Sequence, residues 1–206
     1  MRGLLIVFEG VTGAGKKTHI KLLAEKLKAL GKEVTILSFP DYENPIAKLT
    51  RRADLDPYTQ SLLFAADRQL NQQRIKALLE KGNIILCDRY CYSNYAYQSA
   101  LGVDLKWLMQ IEKNVIKPDL AFLIDVPVEI SIKRVQQASI EDFTKKEILS
   151  RLQKQREILE KIRENFLEIA KRNKETEWHI LDGRKDIAEV DREIWEIVKR
   201  KIFGAE

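Results

Sequence analysis

Glycines closely followed by a lysine are a way to hold a phosphate. Residues 10–18 read Gly10-Val11-Thr12-Gly13-Ala14-Gly15-Lys16-Lys17-Thr18. The glycines let the backbone turn tightly, so that successive N–H groups point inward at an anion. A helix starting there adds free N–H donors and the positive end of its dipole. Lys16 is a mobile point charge for the outer phosphates of a nucleotide. Lys17 takes a place usually held by a serine or threonine whose hydroxyl sits on magnesium. A lysine cannot ligate a cation, so the metal must be held otherwise.

The elements needed to position this loop are present. An apolar run, Leu4-Leu5-Ile6-Val7-Phe8, predicts a strand before it, and residues 19–30 predict a helix after it. Further short apolar strands are expected at 34–37, 83–87, 120–124 and 178–181, with helices between, including one at about 59–81 and a long one at about 145–173. Continuous apolar strands alternating with helices indicate an α/β fold, a five-stranded parallel sheet covered on both faces. Ligands of such sheets bind beyond the carboxyl ends of the strands. Those ends carry the chemistry-bearing residues: Phe39-Pro40-Asp41-Tyr42, Asp88-Arg89-Tyr90, Asp125, and Asp182-Gly183-Arg184-Lys185. The polar segment at about 136–143 is expected to be a small flap between two helices.

Bulk properties narrow the class. The 206 residues, 45% hydrophobic and 33% charged, fit one folded domain spanning 1–206. No apolar run is long enough to span a membrane, and no signal peptide is apparent at the start. Cys87 and Cys91 are too few for a disulfide framework and fit reduced thiols in the cytoplasm. A net charge of +5 suits anionic ligands, but with basic residues alternating with Glu along helices it does not argue for nucleic acid. Heavy use of Lys and Glu with little Met or Cys is a composition favoured at high temperature.

The string Asp88-Arg89-Tyr90-x-x-Ser93-Asn94-x-Ala96-Tyr97-Gln98, with Phe64-Ala65-Ala66-Asp67-Arg68 and Lys117-Pro118-Asp119, resembles the thymidylate kinase family over nearly the whole chain. The resemblance implies a P-loop kinase fold and transfer of the γ-phosphoryl group of ATP to dTMP, with Mg²⁺, in a homodimer formed through helices that follow the second and third strands. It implies that residues 10–18 bind ATP, with Arg184 at the adenine. Phe64 would stack on thymine, Arg68 would contact its O4, and Asn94 and Gln98 would hydrogen-bond the base. Tyr97 would lie near the sugar, and Phe39 and Tyr42 would line the acceptor side. Arg89 can clamp the acceptor phosphate with a planar fork. Asp88 would hold a magnesium-bound water or orient Arg89.

Four positions depart from the family pattern: Lys17; Thr12, where the family usually has an acid; Gly13 and the flap, where it places a catalytic arginine; and Asp41, where an arginine often binds the acceptor. Arg134 is the nearest arginine to the flap, with Lys145, Lys146 and Arg151 beyond it. Slow turnover is expected unless Lys17 or Arg134 supplies the missing charge. Two other readings stay open: a related kinase with another nucleoside or nucleotide acceptor, and a nucleotide-binding regulator of low activity.

Overall fold

Alternation along the strands decides the architecture. The structure, a computed structural model, describes residues 2–52, 54–138 and 156–204. In order these form β1 (Leu5–Glu9), α1 (Lys16–Ala29), β2 (Val34–Ser38), α2 (Pro45–Leu49), α3 (Pro57–Leu70), α4 (Gln72–Glu80), β3 (Ile84–Asp88) and α5 (Cys91–Ala100). There follow α6 (Leu105–Ile111), β4 (Leu120–Asp125), α7 (Val128–Ala138), α8 (Arg156–Arg172), β5 (Glu177–Asp182) and α9 (Ile187–Phe203). The strands pair in parallel in the order β2-β3-β1-β4-β5. Successive side chains of β1 point to opposite faces. Ile6 and Phe8 join one core cluster with Leu23 and Leu27 of α1 and Ile194 and Val198 of α9. Leu5 and Val7 join another with Ile75 and Leu79 of α4 and Tyr92 and Tyr95 of α5. A strand buried on both faces favours apolar side chains throughout, which is why β1 reads as an apolar run as far as Phe8.

The register brings the functional ends level. Phe8 pairs with Asp88 and Glu9 with Leu123, so the phosphate loop leaves β1 between the ends of β3 and β4. Chain order reverses around β1, and the crevice this opens is where parallel sheets bind ligands.

One expectation needs correction. The helix read at 59–81 is two helices. Asn71 ends α3, and its Nδ2 donates to the Asp67 carbonyl at 3.1 Å, which offers the backbone an alternative partner at the break. In the flap read at 136–143, residues 136–138 continue α7; residues 139–143 lie outside the described residues, as do 145–155 of the long helix.

Candidate active site

The loop after β1 is shaped by what surrounds it. Gly10 and Gly13 have φ of 136° and 81°, and a Cβ on either would lie 2.6 Å from a carbonyl oxygen, of Ile124 and Ser131 respectively. Neither a side chain nor another backbone fits there. Gly15 stands left-handed as the cap of α1. The hydroxyl of Ser131 donates to the Thr12 carbonyl at 2.5 Å, tying the loop to α7. Inside the loop, Lys16 Nζ donates to the carbonyls of Gly10 and Val11 at 3.0 and 3.1 Å. Burial, with the Arg89 charge close by, lowers its pKa to about 7. Lys17 is exposed in the first turn of α1, close enough to weigh on Lys16. Thr18 is also exposed.

Glu9, the last residue of β1, holds the turn after β3. It is fully buried and accepts from Tyr90 N at 2.8 Å, Ser93 N at 3.3 Å and Ser93 Oγ at 2.6 Å. Burial raises its pKa to about 7 against the pull of these donors and of Arg89. The turn sets Arg89 at φ 67°, rare for a residue with a side chain. From there its Nη1 donates to Ser93 Oγ, and its Nη2 to Thr12 Oγ1 and Tyr97 Oη, each at 3.2 Å. The guanidinium also lies 5.0 Å from the Tyr97 ring centre. Arg89 therefore touches the phosphate loop on one side and an adjoining cavity on the other. Asp88, beside it, is buried with Oδ1 unpartnered.

That cavity has a volume of about 380 Å³ and lies between α3, α5 and α8. Thr12, Phe39, Tyr42, Phe64, Arg68, Arg89, Asn94, Tyr97 and Gln98 all face it, so most acceptor-side residues of the sequence reading are brought together. Phe64 is half-buried at its wall rather than part of the core clusters. Arg68 is no surface residue. It is 2% exposed and forks onto Glu112, with Nε 2.7 Å from Oε2 and Nη2 on Oε1. Asp67 turns the other way, accepting from Asp41 N and Asn44 Nδ2, and so fixes the turn that carries Tyr42. Arg51 lies over the Tyr42 ring at 3.8 Å. Asn94 Nδ2 donates to Glu112 Oε1 at 2.8 Å, and Gln98 Nε2 to Gln60 Oε1 at 3.0 Å. The carbonyl oxygens of both amides are buried without a partner among the described residues.

Two arginines stand apart from the cavity. Arg134 donates to the Ala14 and Gly183 carbonyls, at 3.4 and 2.8 Å, binding the back of the phosphate loop to the turn after β5. Both ends of its fork are engaged there. Arg184 is exposed and paired with Asp182, whose pKa this pairing lowers. Next to it Arg163 of α8 forks onto Asp125 at 2.6 and 2.8 Å. Sequence reasoning missed Glu9, Gln60 and Glu112, and quoted Ser93 in its motif without giving it a role. Glu9 alone left a signal, a carboxylate between an apolar strand and the glycine loop. Among the described residues no cluster of three or more His, Cys, Asp or Glu could hold a metal.

A glycine loop with a buried lysine, joined through an arginine to a cavity with an aromatic wall and paired amides, defines a P-loop kinase with a nucleotide-sized acceptor site. Comparison narrows the class: the thymidylate kinase family model matches residues 8–194, and the chain belongs to that family. It is 36% identical to a probable thymidylate kinase of Pyrococcus horikoshii, over 99% of this chain and 100% of that one. It is also 36% identical to one of Methanocaldococcus jannaschii, over 93% of each. Among solved structures it is similar to the thymidylate kinase of Candida albicans, described for its broad substrate specificity, with TM-score 0.79 and 27% identity over 99% of this chain and 94% of that one.

Proposed function

We infer that the chain transfers the γ-phosphoryl group of ATP to the 5′-phosphate of dTMP, giving dTDP and ADP. Arg89 carries the reading: its guanidinium bonds both the phosphate loop, at Thr12, and the wall of the acceptor cavity, at Tyr97. Family membership supports the donor and the acceptor. ATP lies with its phosphates in the amide-lined loop and its base toward Arg134 and Arg184. The thymine ring rests on Phe64, its O4 and N3–H toward Arg68 and Asn94, and Tyr97 beside the deoxyribose. An oxygen of the dTMP phosphate attacks the γ-phosphorus, the bond to the β-bridging oxygen breaks, and ADP leaves with that electron pair. Little covalent chemistry falls to the protein in such a transfer; positioning and cancelling charge are its work. Arg89 neutralises the acceptor, Lys16 the outer phosphates, and Lys17 adds a cation at the loop.

Magnesium fits as a companion of the nucleotide. Asp88 Oδ1, buried and unpartnered next to Lys16, is the carboxylate that would face it, while Thr12 Oγ1 is engaged by Arg89. A magnesium ion keeps most of its waters and takes one or two carboxylates, so a single aspartate suffices; bound, it would offset phosphate charge. The same reading makes the chain a cytoplasmic homodimer. The two free cysteines support a reducing compartment. Exposed Leu49, Tyr58 and Leu62 on α2 and α3 support an interface. A coupled assay with a panel of nucleoside and deoxynucleoside monophosphates tests the activity. Turnover led by dTMP and abolished in Lys16→Ala is expected; turnover equal across the panel, or unchanged in the variant, overturns it.

A further inference from the structure

Glu112 closes α6 and is fully buried, 44 residues from Arg68 and 18 from Asn94 in the chain. It never reaches the cavity wall, yet both side chains that do are bonded to it. We propose that Glu112 is a positioning residue that sets the hydrogen-bonding polarity of the base pocket, making it accept a pyrimidine with a 4-keto group and reject one with a 4-amino group. The proposal rests on the reading of the cavity as the dTMP site.

A carboxylate that bridges a guanidinium and an amide only accepts. Asn94 therefore has one permitted orientation, with Nδ2 on Glu112 and on the Ser61 carbonyl, at 2.8 and 3.2 Å. Its carbonyl oxygen is buried with no partner among the described residues, on a residue that lines the cavity. Arg68 gives Nε and Nη2 to the same carboxylate, which leaves Nη1 without a partner among the described residues. The pocket thus presents a donor from Arg68 beside an acceptor from Asn94. Thymine and uracil offer the matching pair, O4 and N3–H. Cytosine offers an amino group to the guanidinium and a bare N3 to the carbonyl, so both contacts are mismatched. A site built around such bonds rejects the wrong partner by leaving buried groups unpaired.

An exchange of roles tests this. In Glu112→Gln the new amide presents a donor to either Arg68 or Asn94, so Asn94 loses its fixed orientation. The kcat/KM for dTMP should fall roughly 10–100-fold, mainly through KM, while dCMP loses little, so the dTMP-to-dCMP ratio collapses. Asn94→Asp alone sets two carboxylates face to face and should lose the ratio as well. The double variant, Glu112→Gln with Asn94→Asp, restores one donor facing one acceptor between these two residues, while the bond to the Ser61 carbonyl stays lost, and should recover part of it. Parallel loss for dTMP and dCMP, or no recovery in the double variant while it melts cooperatively, overturns the proposal. So does the unaltered chain using dCMP as well as dTMP or dUMP, a measurement that needs no variant. Absence of any dTMP turnover by the unaltered chain would count instead against the activity itself.

Discussion

Arg89 shows how much one side chain can be asked to do. Its contacts to Ser93, Thr12 and Tyr97 need a planar fork, and lysine has none. Arg89→Lys should lower kcat/KM for dTMP by about 10²–10³-fold, leaving ATP affinity within a few-fold; steady-state kinetics with nucleotide-binding calorimetry checks both. Lys16 leads to a second prediction. Burial holds it near pKa 7 in the free chain. Nucleotide phosphates favour its charged form, so its pKa rises on binding, and phosphate beside Glu9 acts in the same direction. ATP binding at pH 8 should therefore take up protons, and affinity should weaken as pH climbs above 7. Calorimetry in two buffers of different ionisation heat reads the uptake; identical heats in both would contradict it. These residues were legible because Lys16 and Arg89 sit in local strings next to strand ends. Glu112 was not, because its partner Arg68 lies 44 positions away, and the place of Glu9 beside the loop did not show that it holds Tyr90, 81 positions away; only the folded chain closes such distances.

At the scale of elements, the strand, loop and first helix followed from apolar runs and glycine spacing. The break at Asn71 did not: apolar spacing runs through it from Leu70 to Ile75, and the side-chain bond that divides the helices leaves no periodic trace. The glycine requirement itself is testable. Gly13→Ala combines a left-handed φ with a clash against the Ser131 backbone. It should destabilise the chain by about 2 kcal/mol, which for this size lowers Tm by about 4–8 °C, and raise KM for ATP as the loop draws away from α7. Thermal melts with ATP kinetics check this; an unchanged Tm would show that the loop and α7 adjust freely.

Across the whole molecule, the α/β architecture was readable from the alternation of strands and helices. The covering of β1 on both faces explains why the pattern was so plain. An assembly is harder to read from one chain, since Leu49, Tyr58 and Leu62 look like ordinary helix residues until their exposure is seen. Leu62→Arg places a charge on that face and should convert a dimer to monomers in sedimentation velocity, with little loss of secondary structure; a native chain that sediments as a monomer would remove the interface. The central claim is that two anions meet at Arg89. A crystal of the chain with dTMP tests it most directly. The thymine ring is expected on Phe64 with its polar edge toward Arg68 and Asn94, and the phosphate within hydrogen-bond reach of Arg89. Thymidine bound elsewhere, or a phosphate remote from that guanidinium, would contradict it.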